Sequence, residues 1–186
     1  MRCCSDKHKL GWLFILFFIF QFNFTANSQQ NKLEALMSEY ESTTDPAKHV
    51  EQLYGIAYRM KNTDPHTSLE YADKGYKLAV QQNNGRYIGN YQYVKAKIYR
   101  QIGEKETAQE YIDLAIQQFK SIAAKDRIAN ALNEKGWLLY SKGEFEEARD
   151  QFSEALIICE EIDNNVLIDC LYLLLLYLFT PRTKLN

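Results

Sequence analysis

Beyond residue 28, apolar residues recur at i, i+3, i+4 and i+7, as Ile112, Ala115, Ile116 and Phe119 do. That spacing lays them along one stripe of a helix. No stretch of this body alternates with period two over more than a few residues, so the pattern predicts helices and no strands. Two breaks read Asp45-Pro46 and Asp64-Pro65. Aspartate before proline reads as an N-cap followed by the first helical residue, where a missing N–H costs nothing. The pattern predicts a leading helix over Lys32–Glu41, with Leu33, Leu36, Met37 and Tyr40 on one side. Three pairs follow: Pro46–Lys61 with Pro65–Gln82, Tyr87–Ile102 with Lys105–Ile122, and Asp126–Lys142 with Phe145–Glu161. Gln82-Asn83-Asn84-Gly85 is the clearest break between pairs.

Shifting the chain by 40 residues brings it into register with itself. Gly103 meets Gly143. Ala108 meets Ala148, with Ser68 one step earlier. Ala115 meets Ala155 with Gly75 earlier, Ile112 meets Phe152 with Ala72, and Ile116 meets Leu156 with Tyr76. Two helices of a hairpin approach closely only where side chains are short. A small residue, a bulky one four later and another small one three after that place two notches on one face. The glycines fall between helices, where a turn with positive φ is needed.

These residues carry a resemblance. Gly136, Leu139, Ala148 and Phe152, followed by Ala155 and Leu156, look like a tetratricopeptide repeat, whose pattern asks for G-x-x-Y and then A-x-x-x-F. Ala96, Tyr99, Gly103, Ala108, Ile112 and Ala115 make the preceding unit, and Ile56, Thr63, Ser68, Ala72 and Gly75 a more divergent first one. The closing proline of the family is absent, and the period is 40 rather than the usual 34. That variant resembles extended repeats in bacterial sensor and regulator proteins. The resemblance implies an all-α fold, a right-handed α-solenoid of helix-turn-helix repeats over residues 45–165, in units of about 45–84, 85–124 and 125–165. It implies a concave groove lined by the first helix of each pair. The family's groove positions map here to Tyr93, Lys97 and Arg100 in the second unit, and to Asn133, Trp137 and Tyr140 in the third. Aromatics with an arginine suit peptide capture, while packing between neighbouring units is the competing role for the tyrosines. The lysine and asparagine clamp that some members use on terminal carboxylates is not matched.

The two ends differ from the body. Residues 1–28 run from a basic start (Arg2, Lys7 and Lys9 against Asp6) through the uncharged Leu10–Phe20 to Ala26-Asn27-Ser28. That order matches a cleaved secretory signal peptide, with residues 29–44 then forming the leading segment. The alternative is an uncleaved membrane anchor over residues 10–24. No cysteine stands directly after the apolar run, at residues 21–30, which argues against a lipoprotein anchor. At the other end, residues 166–186 contain ten consecutive apolar positions from Cys170 to Phe179. This segment reads as a buried sealing helix, as a truncated fourth repeat, or as a membrane-inserted tail. Membrane contact is expected only through residues 166–179.

Composition narrows the function. The chain carries 22 basic and 24 acidic residues among 186. Removing three basic and one acidic residue with the leader leaves 19 and 23, a net charge of −4. No positive field draws nucleic acid. His49 and His66 have no third partner at metal-ligand spacing, and no CxxC, HExxH, GxSxG or P-loop spacing occurs. Glu144, Glu146 and Glu147 start a helix and complement its dipole. Cys159 and Cys170 read as two buried thiols, with a disulfide as the alternative. No catalytic, metal or cofactor site is expected. The expectation is an exported protein, periplasmic or secreted, that binds a protein or peptide without chemistry. The alternative is the sensory input segment of a membrane-associated signalling protein, of histidine-kinase or DNA-binding regulator type.

Overall fold

A computed structural model describes residues 31–179 of the chain; the leader assigned to residues 1–28 lies outside the described residues. Every regular element among the described residues is a helix. The chain divides into two compact units, Met1–Thr43 and Thr44–Asn186. In the first, one helix is described, α1 (31–42), and Leu33, Leu36, Met37 and Tyr40 are among its less exposed residues. The second holds α2 (Pro46–Met60), α3 (Pro65–Gln81), α4 (Gly85–Ile102), α5 (Lys105–Ser121), α6 (Lys125–Lys142), α7 (Phe145–Glu161) and α8 (Asn165–Phe179). They pack as sequence neighbours, and the first helices of successive pairs, α2, α4 and α6, also touch in series. This is an α-solenoid of helix pairs.

The helix starts follow local chemistry. Asp45 accepts from the Ala47 N–H at 2.9 Å and Asp64 from the Thr67 N–H at 3.1 Å, each with proline next in sequence. Helix α4 opens at Gly85 rather than Tyr87, because the Asn84 side chain accepts from the Tyr87 N–H and pulls the first turn back over Gly85. The helix ends repeat with the period. Asn84 N–H donates to Ala79 C=O, Ala124 N–H to Phe119 C=O, and Asn164 N–H to Cys159 C=O, at 2.9, 3.0 and 3.0 Å. Closing that turn requires a left-handed residue one position earlier. Asn83, Ala123 and Asp163 hold φ of 52°, 52° and 53° there. The alternate turns use Gly103 and Gly143, at 91° and 85°.

The core sits at the notches. Ser68, Ala108 and Ala148 are all fully buried, as are Ala72, Ile112 and Phe152, and Ala115 and Ala155. A Cβ on Gly136 would stand 2.5 Å from the Phe152 ring, and one on Gly89 2.5 Å from the Phe119 ring. Each phenylalanine therefore occupies the space a side chain would fill, and burying it contributes about 2–3 kcal/mol. One period away, the same two rungs are filled by other sizes: Ala96 with Ile112, and Ala129 with Cys159. Ion pairs follow the period too. Lys95 meets Asp73 of the previous pair, and Lys135 meets Asp113 at 2.7 Å. Lys95 also lies 5.0 and 5.2 Å from the ring centroids of Tyr76 and Tyr111, which keeps its buried stem between aromatic faces.

Helix α8 seals the stack with one face only. Leu171 is 1% exposed, whereas Val166, Leu173 and Leu176 are 79%, 68% and 58% exposed. The expectation of a buried sealing helix is therefore corrected to one with an open apolar side. The expectation of two buried thiols is corrected as well: Cys159 is buried, but Cys170 is exposed, and neither is in a disulfide. The packed side of α8 runs through Leu167, Ile168, Leu171, Leu174, Leu175 and Phe179, and Cys170 is not among these residues. No described helix is long and apolar enough to cross a membrane.

Ala123 is the one helix-ending residue of its series with neither a glycine nor an Asx side chain. The left-handed region costs an alanine about 1–2 kcal/mol, and glycine's extra chain entropy offsets about half of that. Ala123→Gly is expected to stabilise the chain by about 0.5–1 kcal/mol, read as a higher midpoint in thermal unfolding followed by circular dichroism; a lowered midpoint contradicts the turn assignment.

Candidate functional site

The first helices of the pairs carry a continuous polar and aromatic face. On α4, Tyr93, Lys97 and Arg100 fall one turn apart on one stripe, so the groove positions of the second unit are brought together. They are not free. Glu134 of α6, 6% exposed at its side chain, accepts from Lys97 Nζ at 2.9 Å and from Arg100 Nε at 2.6 Å. Lys97 also lies 3.4 Å from the Tyr93 hydroxyl and 5.3 Å from its ring centroid. Burial pushes the Lys97 ammonium down, but the Tyr93 hydroxyl and the Glu134 carboxylate outweigh it and hold it above the usual lysine range. Lys61, at the end of α2, is pushed down by burial and by the charge of Lys97. One carboxylate thus serves two cations, leaving a surplus positive charge.

In the third unit, Asn133 is half-buried on α6, and Trp137 follows one turn later, 36% exposed. Trp137 meets Tyr140 and Phe152 edge-on at 6.1 and 5.6 Å. Tyr140 in turn packs against Phe145 of α7 and Phe179 of α8, at 5.1 and 6.5 Å. Tyr140 therefore joins neighbouring units, while Trp137 keeps an open edge.

Next to the α4 stripe lies a pocket of about 260 Å³ lined by Tyr54, Tyr58, Tyr93, Phe119, Arg127 and Asn130. Burial pushes the Tyr54 hydroxyl up to about 12, against the opposing charges of Arg127 and Lys97. Burial likewise raises Tyr93. Of the lining, the sequence singled out Tyr93 alone. Asn130 was within reach, since it stands one turn before Asn133 and forty residues after Asn90. Tyr54 and Tyr58 were not. Forty residues before Tyr93 and Lys97 are Leu53 and Ala57, which are buried at 2% and 0%. The α2–α3 connection spans residues 61–64, two longer than the α4–α5 connection at 103–104.

His49 is half-buried in the first turn of α2 and His66 exposed in that of α3.

Two family models match the sequence, both described as tetratricopeptide repeat, over residues 89–119 and 129–162. The chain carries tetratricopeptide repeats. The two matches begin forty residues apart, so the family register and the period of the core coincide. Neither reaches the α2–α3 pair, whose connection is the longer one. The crystal structure of BtubC (BKLC) from P. vanneervenii is similar, with a TM-score of 0.57 at 16% identity, covering 90% of this chain and 78% of that one. At that identity the likeness is one of fold. Comparison with curated proteins gives no match. Tetratricopeptide repeats generally mediate protein–protein interactions and act as non-catalytic scaffolds.

Within the repeats, Glu134 joins the second unit to the third through charge. Breaking a buried pair strands its partners, at about 3–5 kcal/mol when fully desolvated. Lys97 and Arg100 retain 19% and 35% side-chain exposure, so a smaller loss applies. Glu134→Gln, which keeps the shape and removes the charge, is expected to cost about 2 kcal/mol in urea unfolding of the full chain. Unchanged or increased stability contradicts the paired-charge assignment.

Proposed function

We propose that the chain is an exported, non-enzymatic interaction protein that takes a peptide or an extended segment of a protein partner along the concave face formed by α2, α4 and α6. The observation that carries this reading is the run of half-open aromatic and polar side chains on those helices, from Tyr54 and Tyr58 through Tyr93 to Trp137. Aromatics give large contact area at low ordering cost, which is why they concentrate binding energy. Rigid helices hold them, so little order is lost on binding. The mechanism is burial and shape, with no bond made or broken. Export rests on the order of residues 1–28 and on the acidic remainder, which suits a protein partner rather than nucleic acid.

The test is selection of peptides from a random displayed library on the immobilised full chain, followed by affinity measurement. Trp137→Ala and Tyr58→Ala are each expected to weaken the selected peptides about tenfold or more. Lys120→Ala, an exposed substitution on α5, is expected to leave them unchanged. No selected binder, or equal binding by all variants, overturns the reading.

A further inference from the structure

The pocket beside the α4 stripe has a definite chemistry. Among the described residues, Arg127 is the one charged residue in its lining, and no carboxylate joins it there. The guanidinium is only partly engaged. Arg127 Nε lies 3.3 Å from Asp126 Oδ2, yet that buried nitrogen makes no hydrogen bond among the described residues. Asp126 is also shared with Arg86 of α4, whose Nη2 donates to the same oxygen at 3.1 Å. A second cation, Lys97, acts on the same tyrosine as Arg127. It belongs to the Glu134 cluster, where two cations already share one carboxylate. Positive charge is therefore in surplus on both sides of the pocket, in a chain whose net charge is −2.

The dimensions restrict the occupant. At about 260 Å³ the pocket falls below the roughly 300–1,000 Å³ of small-molecule sites. It suits one side chain entering from a segment laid along the groove. The walls select its shape. Tyrosine rings and Phe119 pack a short aliphatic stem, while Arg127 and the Asn130 amide supply donors for its end. One N–H of that amide donates to Asp126 C=O at 2.7 Å, which leaves the other for a ligand. A phosphate carries nearly two charges and is usually met by several arginines; a single guanidinium matches a single carboxylate.

We propose that this pocket receives the carboxylate side chain of an aspartate or glutamate from the protein partner, held by Arg127 and Asn130. The proposal rests on the groove reading above and adds the residue class that the groove selects.

The experiment uses the full chain, immobilised, and pools of short peptides that are random except for one central position fixed as Glu, Gln, Lys or phosphoserine. The Glu pool is expected to be retained about tenfold more than the Gln pool, as for one charge-assisted contact, and the Lys pool least. Arg127→Gln is expected to remove the preference for Glu over Gln, and Arg127→Lys to keep part of it. Thermal unfolding of both variants checks that they fold. The pool comparison on the unaltered chain stands regardless of that check. Equal retention of Glu and Gln pools overturns the pocket assignment and leaves the groove reading in place. Stronger retention of the phosphoserine pool overturns the carboxylate assignment. If no pool is retained, both readings fall.

Discussion

Two helices of a pair approach closely only if, wherever one presents its bulkiest side chain, the other presents almost none. In this protein that condition is met by a glycine under a ring once in the α4–α5 hairpin and once in the α6–α7 hairpin. Phe152 lies over Gly136, and Phe119 over Gly89, with each ring in the space a Cβ would take. Everything else follows from how near this brings the backbones. The left-handed turns that end the helices fall at one step in the period because the rungs fix where each helix stops. The lysine–aspartate pairs between successive hairpins recur at the same interval because the hairpins stack in the same pose.

Stacking in one pose also decides where the polar face goes. The second helices bury their small residues against the first, and the first helices touch one another in series. What remains on them is the stripe of tyrosines, Trp137 and cations. Charge on this stripe is arranged rather than scattered. Glu134 is buried and neutralises one of two cations beside it, and Asp126 stands in the same ratio to Arg86 and Arg127. A buried carboxylate of this kind lends specificity to the position of its partners more than it adds stability. It holds Lys97 and Arg100 in place without cancelling the positive field of the face.

The rungs were legible in the sequence, since close packing of two helices demands a small residue at a fixed distance from each bulky one. Ala108 and Ala148 occupy equivalent buried seats, as their spacing implied. Tyr93, Lys97 and Arg100 came from the family resemblance, and their spacing places them on one stripe of α4. Glu134 was not, because a glutamate on an amphipathic helix ordinarily faces water, and its two partners lie 34 and 37 residues away in sequence. Tyr54 and Tyr58 were hidden because the α2 positions forty residues before Tyr93 and Lys97 are Leu53 and Ala57, which face the core. In α8 the run of leucines hid the division into a packed and an open side, because beyond Asp169 the helix offers no charged or amide residue to mark the boundary.

The most direct measurement of the central claim is a double-mutant cycle between Gly136→Ala and Phe152→Ile in the full chain, read by urea unfolding. The double variant recreates the Ala96 and Ile112 pairing of the preceding hairpin. Overpacking at the glycine costs about 1–3 kcal/mol, less the roughly 1 kcal/mol that alanine gains in a helix. Truncating the ring costs a similar amount by leaving space. If the two residues share one seat, the losses cancel in part, and the double variant is more stable than the summed single effects by about 1 kcal/mol or more. Additive losses contradict the account, for they mean that the helices are held apart by something other than this rung.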